Sequence, residues 1–297
     1  MNVLLNKYNI DEVHPINYGW SGDKKSVLID KNGKKYILRE SPIELYDKRS
    51  TQYSYALQLS SLNEHIAKPI DKGVLNNKKT FFILYSYLEG EDAEIAITKY
   101  TDVEAYNLGI KAGEILKSIH SAKIAHATTP WYVSYVKKSK IKIDNYQNCE
   151  IKLPKGDLIL DYYKNNLFLM QSRPLVYTHG DYHLGNMVID NGNLGIIDFD
   201  KISIADPYDD FKPYCWNVLK SEIFATGLIN GYFNNSIPED FFTILKFYTA
   251  ESLISHLPWA IKFGENDVKT AFTVYECAMK WYDNFNLTIP TWYLGIK

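Results

Sequence analysis

The stretch Tyr177–Asp200, YTHGDYHLGNMVIDNGNLGIIDFD, constrains this chain more than any other part of it. Met187-Val188-Ile189-Asp190 and Leu194-Gly195-Ile196-Ile197 are short apolar runs, and Asn191-Gly192 stands between them. Both turn residues tolerate positive φ, so the pattern predicts a tight β-hairpin. Such a hairpin brings Asn186, just before its first strand, beside Asp198, just after its second. His179-Gly180-Asp181 leads into the same hairpin, with Asp181 five positions before Asn186.

A carboxylate and an amide oxygen side by side are hard ligands that hold magnesium without excessive negative charge. A further carboxylate on the loop leading in, Asp181, suits the orientation of a hydroxyl and the late acceptance of its proton. Any one of these residues is also explained as an ordinary turn former. The complete ordered set points instead to a phosphoryl-transfer centre, with Asn186 and Asp198 as metal ligands and Asp181 as the base.

His179, Asp181 and Asn186 also stand at the H-x-D-x-x-x-x-N spacing of the protein-kinase catalytic loop. HGDYHLGN followed by IIDFD resembles the small-molecule branch of the protein-kinase-like fold, the aminoglycoside phosphotransferases, choline kinases and their relatives. Gly180 stands where many protein kinases carry an arginine that reads a phosphorylated activation loop. Seven residues separate Asp198 from Asp206-Pro207, too few for an activation segment. Both departures argue against a phosphorylation-switched protein kinase.

The resemblance implies an α+β, two-lobed protein-kinase-like fold covering nearly the whole chain. A small, mainly β N-terminal lobe with one helix would span residues 1–88, and a large, mainly α lobe residues 89–297. Val27–Asp30 and Lys35–Arg39 read as strands around the hairpin signal Lys31-Asn32-Gly33-Lys34. Before them, Gly19, Ser21 and Gly22 stand where the fold lays a turn over nucleotide phosphates, and glycine lets backbone amides approach closely. Arg39 stands at the position of the phosphate-binding lysine, as in choline kinase relatives. Tyr46–Leu62 reads as the lobe's helix, with Gln52 at the place of the glutamate that would hold the basic residue. Glu44 and Glu64 flank it and read as solvated charges. Lys79–Leu88 is a buried-strand pattern, and by resemblance the carbonyl of Ser86 and the amide of Leu88 would face the base of the nucleotide.

Beyond it, Thr101–His120 is apolar at spacings of three and four and opens with a Thr101/Glu104 capping box. His120 closes an apolar face and reads as structural. Residues 131–156 gather six lysines and three tyrosines against two acids, which reads as a solvated insert rather than an anion site. Helical patterns follow at Asp157–Ser172, Phe211–Ala225, Pro238–His256 and Asp267–Asn284. Asp206, Asp209 and Asp210 would brace the catalytic loop.

The C-terminal helices would build the acceptor site. For a polycationic acceptor its carboxylates would come from Asp200, Asp210, Glu222 and Glu251; for choline, an aromatic cage would come from Trp216, Trp259, Trp281 and Tyr248. The implied reaction is Mg2+-dependent transfer from ATP or GTP to the hydroxyl of a small molecule, with an aminoglycoside or related aminocyclitol favoured. Choline, ethanolamine or homoserine are alternative acceptors, and a nucleotide-binding pseudokinase that senses or scaffolds is the alternative of another class. A formal charge of -2 provides no basic field for nucleic acid. Three widely spaced cysteines suggest neither a disulfide framework nor a zinc site. No segment reads as a membrane span or signal peptide, so the expected setting is cytoplasmic, and no protein partner is implied.

Overall fold

The computed structural model describes residues 2–16, 22–75, 78–124 and 129–295. In chain order, α1 (Asn2–Lys7), β1 (Ile10–Ile16), β2 (Lys24–Asp30), β3 (Lys35–Pro42), α2 (Tyr46–Ser60), β4 (Pro69–Val74), β5 (Thr80–Ser86) and β6 (Glu91–Asp92) come first. Then follow α3 (Ala93–Ala96), α4 (Asp102–His120), α5 (Trp131–Gln147), α6 (Gly156–Asn165), β7 (Val176–Thr178), β8 (Met187–Asp190), β9 (Asn193–Ile196) and β10 (Ser203–Ala205). The chain ends with α7 (Tyr214–Val218), α8 (Glu222–Phe233), α9 (Phe241–Ala260) and α10 (Glu265–Trp281).

Internal packing groups Met1–Ala93 with Asn186–Ser203 as one unit, and Glu94–Gly185 with Ile204–Lys297 as a second. The first unit thus extends past residue 88 and takes in the hairpin. The reason is hydrogen bonding: β6 pairs with β8, Ala67 N donates to Ile196 O at 2.9 Å, and Ile196 N donates to His65 O at 2.7 Å.

The first unit is built on an antiparallel sheet in the order β1-β2-β3-β5-β4. Gly33, at φ 81°, closes the β2–β3 turn, where Asp30 Oδ1 accepts from the amides of Asn32 and Lys34. Five of the seven β5 residues are buried, as its unbroken apolar run requires of a central strand. The edge strand β1 carries no alternation, its five middle residues being exposed, and the sequence reading missed it, along with α1 and β4. The β8–β9 hairpin turns at Asn191 and Gly192, φ 48° and 79°, and pairs Met187 with Ile196.

In the helical unit, Thr101 and Glu104 form the expected reciprocal cap of α4. The basic-aromatic stretch is not an insert but the 17-residue helix α5, whose buried face is Trp131, Tyr135, Ser139 and Tyr146. Asp157–Ser172 breaks at Asn166, leaving α6 and a short 3-10 turn. Phe211–Ala225 is split as well: α7 ends at Val218, and Ser221 Oγ accepts from Phe224 N to start α8.

The closest helix crossing is between α4 and α8, where Gly109 and Gly113 face Gly227 and Gly231. A Cβ at Gly113 would lie 2.2 Å from Leu228 O and 2.3 Å from Tyr232 N. The backbones touch because neither helix carries side chains there. Gly113→Ala is therefore expected to lower unfolding free energy by about 2 kcal/mol through overpacking, measured by chemical denaturation. A gain in stability, as the better helix propensity of alanine alone would give, would contradict this crossing.

Candidate active site

In the sheet-bearing unit, the hairpin brings together Asn186 and Asp198, the two residues expected to hold a metal. Ile197 N donates to Asn186 O at 3.0 Å, which closes the base of the hairpin with Asp198 immediately beyond it. Asp198 has φ 62° and ψ 63°, a left-handed backbone that costs a non-glycine residue of order 1 kcal/mol and is concentrated at functional sites. Each oxygen of its carboxylate meets a cation. Lys25 Nζ donates to Oδ2 at 2.6 Å, and an Arg39 terminal nitrogen lies 3.3 Å from Oδ1.

Arg39 is only 4% exposed and is surrounded by carboxylates. Its Nε donates to Asp23 Oδ2 at 2.6 Å, and its other terminal nitrogen donates to Asp200 Oδ2 at 2.9 Å. Burial pulls its pKa down, but Asp200, Asp198 and Asp23 more than offset this and raise it above the ordinary value. Arg49 on α2 reaches the same Asp23 oxygen at 2.5 Å. Gln52 accepts from Arg49 at 2.8 Å and donates to the carbonyl of Asp200. Gln52 therefore supports Arg39 through Arg49 and Asp200, while Glu44 and Glu64 are exposed. Asp23 and Arg49 are site residues that pattern reading assigns no role, whereas it keeps Lys25, with Lys24 and Lys35, as an alternative phosphate clamp to Arg39.

Of the expected nucleotide contacts, Gly19 and Ser21 lie outside the described residues. Gly22 is described, and a Cβ there would meet open space. Ser86 ends β5 opposite Tyr36, and its Oγ accepts from Lys68 N at 2.8 Å. The Leu88 side chain lies over β9, 2.9 Å from where a Cβ of Gly195 would be. Among the described residues no three or more His, Cys, Asp or Glu side chains are arranged to hold a metal. The donor set fits magnesium nonetheless, because this ion binds through one or two protein oxygens and completes its shell with phosphate and water.

In the helical unit, the loop carrying Asp181 is fixed by Asp210. Its two oxygens accept from His179 N at 2.8 Å and Gly180 N at 2.6 Å. Oδ2 also bonds His120 Nε2 at 2.9 Å, and His120 Nδ1 meets the Tyr232 hydroxyl. Gly180 has φ 84°, a left-handed conformation that an arginine would adopt only with strain. His183 Nε2 stands 3.7 Å from Asp181 Oδ2. Asp206 is bound to Arg173 at 2.9 Å and accepts from the Tyr248 hydroxyl at 2.7 Å.

The four expected acceptor carboxylates have separate surroundings. Asp210 is taken up by the loop amides, and Asp200 by Arg39 in the other unit. Glu222 is exposed in the first turn of α8, where the helix dipole favours a negative charge. Glu251 is fully buried between Lys142 and Lys212 and accepts from the Tyr135 hydroxyl at 2.5 Å. The expected aromatic residues have separate surroundings too. Tyr248 and Trp281 are core residues, while Trp216 and Trp259 flank His256 at 6.0 and 5.7 Å between ring centres. Near Trp259 a cavity of about 600 Å³ is lined by Lys142, Asn145, Asn148, Cys149 and Lys262 among others.

Residues 12–240 match the model of the phosphotransferase enzyme family. The chain belongs to this family. Among solved structures, this phosphotransferase is similar to the GDP complex of aminoglycoside 2'-phosphotransferase-IIIa, at 14% identity over 93% of this chain and 96% of that one, with a TM-score of 0.69. It is also similar to an amicoumacin kinase solved with AMP-PNP and Ca2+ (13%, 97% and 94%, 0.67) and to a spectinomycin phosphotransferase solved with ADP and spectinomycin (16%, 96% and 94%, 0.64). These likenesses bear on the fold, which is the expected α+β kinase-like one with a small antiparallel sheet and a helical part. No curated protein sequence matches the chain. Among the described residues no helix is long and apolar enough to cross a membrane.

Two outcomes are expected from these contacts. Asp210→Ala leaves two loop amides and His120 without their carboxylate and should cost about 3 kcal/mol of stability; unchanged stability in a denaturant titration would show that the loop is held otherwise. For Glu251, burial raises the carboxyl pKa, but Lys212 and Lys142 outweigh it and hold it below the ordinary value of 4.5. The unfolded chain then binds more protons in this range, so the stabilisation is present above about pH 4.5 and is lost as pH falls below it. Glu251→Gln should flatten the acid limb of the stability profile; an acid limb identical to that of the wild type would refute the assignment.

Proposed function

We propose that this phosphotransferase moves the terminal phosphoryl group of ATP or GTP to a hydroxyl of a small molecule, in a Mg2+-dependent reaction. The carrying observation is the hairpin base, where Asp198 sits in a strained left-handed conformation next to Asn186. A residue that only closes a turn, such as Asn191 at φ 48°, shares the left-handed backbone but has no need of two cations on its side chain. Asn186 and Asp198 would hold the metal, which when bound neutralises phosphate charge during transfer.

Asp181 would receive the acceptor hydroxyl. Its carboxylate orients the oxygen for in-line attack and takes the proton as the new P–O bond forms. Asp210 contributes by positioning, since both amides it binds belong to the turn that presents Asp181. Ser86 and Leu88 would offer backbone groups to the nucleotide base, with Gly19, Ser21 and Gly22 near the phosphates. The reading includes a cytoplasmic setting, where nucleoside triphosphates are plentiful.

An aminoglycoside or related aminocyclitol is the favoured acceptor class. Support comes from fold likeness to proteins solved with spectinomycin or named for aminoglycosides, not from converging carboxylates. An acceptor panel of kanamycin-type compounds, spectinomycin, choline and homoserine should yield a phosphorylated aminocyclitol and leave choline unmodified. Phosphorylation of choline alone would overturn the acceptor class. With the acceptor in hand, Asp181→Ala is expected to lower kcat by at least about 10²-fold with little change in nucleotide affinity. Asp198→Ala should instead abolish Mg2+-dependent nucleotide binding. Full turnover by Asp181→Ala would refute the role of the loop.

A further inference from the structure

Arg39 stands where the fold's phosphate-binding basic residue is expected, yet its guanidinium faces Asp23, Asp198 and Asp200. The Asp23 side chain is 2% exposed, so moving Arg39 towards a phosphate would take one of two guanidinium partners from a buried carboxylate and leave it to Arg49. The neighbouring strand carries a second cation on the same face. Lys25 is paired with Arg39 across β2 and β3, and its Nζ holds the other oxygen of Asp198. Its side chain is 19% exposed against 4% for Arg39, it has a flexible stem, and among the described residues its ion pair is with Asp198. Lys24, the next residue, is exposed and by alternation points to the opposite face.

Among the described residues, three cations face three carboxylates here. Lys25, Arg39 and Arg49 balance Asp23, Asp198 and Asp200. A divalent cation placed on Asp198 competes with Lys25 for Oδ2, and the ammonium then needs another anion. Triphosphate oxygens arriving with the metal are that anion.

Resting on the phosphotransferase reading, we propose that Lys25 is the phosphate-binding cation of this enzyme. It exchanges Asp198 for the nucleotide phosphates when the metal binds, whereas Arg39 is a positioning residue that holds Asp198 and Asp200. The exchange makes and breaks only ion pairs.

Calorimetric titration of the full chain with MgATP, MgGTP and adenosine tests this, using wild type, Lys25→Met, Lys24→Met and Arg39→Lys. Lys25→Met should lose roughly 10- to 100-fold in affinity for the preferred triphosphate, the scale of one charge-assisted hydrogen bond, and keep its adenosine affinity and thermal midpoint. Lys24→Met should match wild type. Arg39→Lys should lower the thermal midpoint, because a point charge cannot span three carboxylates. Wild-type triphosphate affinity in Lys25→Met, or an equal loss of adenosine affinity, would overturn the assignment alone. Failure of wild type to bind either triphosphate would overturn the phosphotransferase reading and the Lys25 assignment together.

Discussion

The sheet-bearing unit depends on how the Asp198 carboxylate is held and aimed. Asp198 is a carboxylate at the end of a hairpin, in a left-handed conformation. Two cations from adjacent strands hold it, one on each oxygen, and each is anchored differently. Arg39 is immobilised by Asp23 and Asp200 and is tied through Arg49 and Gln52 to α2, so strand, helix and hairpin share one buried charge network. Buried ion pairs of this kind add little net stability because desolvation consumes most of the attraction. Their consequence here is geometric: the three carboxylates cannot move independently.

The helical unit solves the same problem with backbone donors. Asp181 is presented by a turn whose two amides are held by Asp210, and Asp210 is held in turn by His120 at the end of α4. That helix packs against α8 along a seam of glycines with no slack for side-chain adjustment. The loop that carries Asp181 is therefore tied to a crossing where two helix backbones are in contact. Deeper in, Glu251 joins α5 to α9 through Lys142 and to the segment after Asp210 through Lys212, which makes a lysine-rich helix part of the core.

What was legible in the sequence was local. Asn191-Gly192 specifies its hairpin because both residues accept positive φ, and the Thr101/Glu104 cap needs partners only three positions apart. The apolar run of β5 announces burial by itself. What was not legible depends on distant partners or on polar residues used as core. Arg39 meets Asp23 sixteen positions away, and Lys142 meets Glu251 at a separation of 109. Helix α5 buries tyrosines, a tryptophan and a serine, so its inward face carries no aliphatic stripe. β1 is an edge strand whose side chains are solvated, which removes the alternation by which strands are read. The join between α7 and α8 was hidden because both flanking helices are apolar and only the Ser221 cap separates them.

The central claim is that cations hold Asp198 until metal and phosphate arrive together. The most direct measurement is the affinity of the wild-type chain for ATP and GTP with and without Mg2+, paired with its Mg2+ affinity with and without nucleotide, after allowance for the metal that the nucleotide itself carries. The expected result is reciprocal coupling: each ligand tightens the other by the same factor, at least about tenfold. Triphosphate affinity that is indifferent to Mg2+ would contradict the claim.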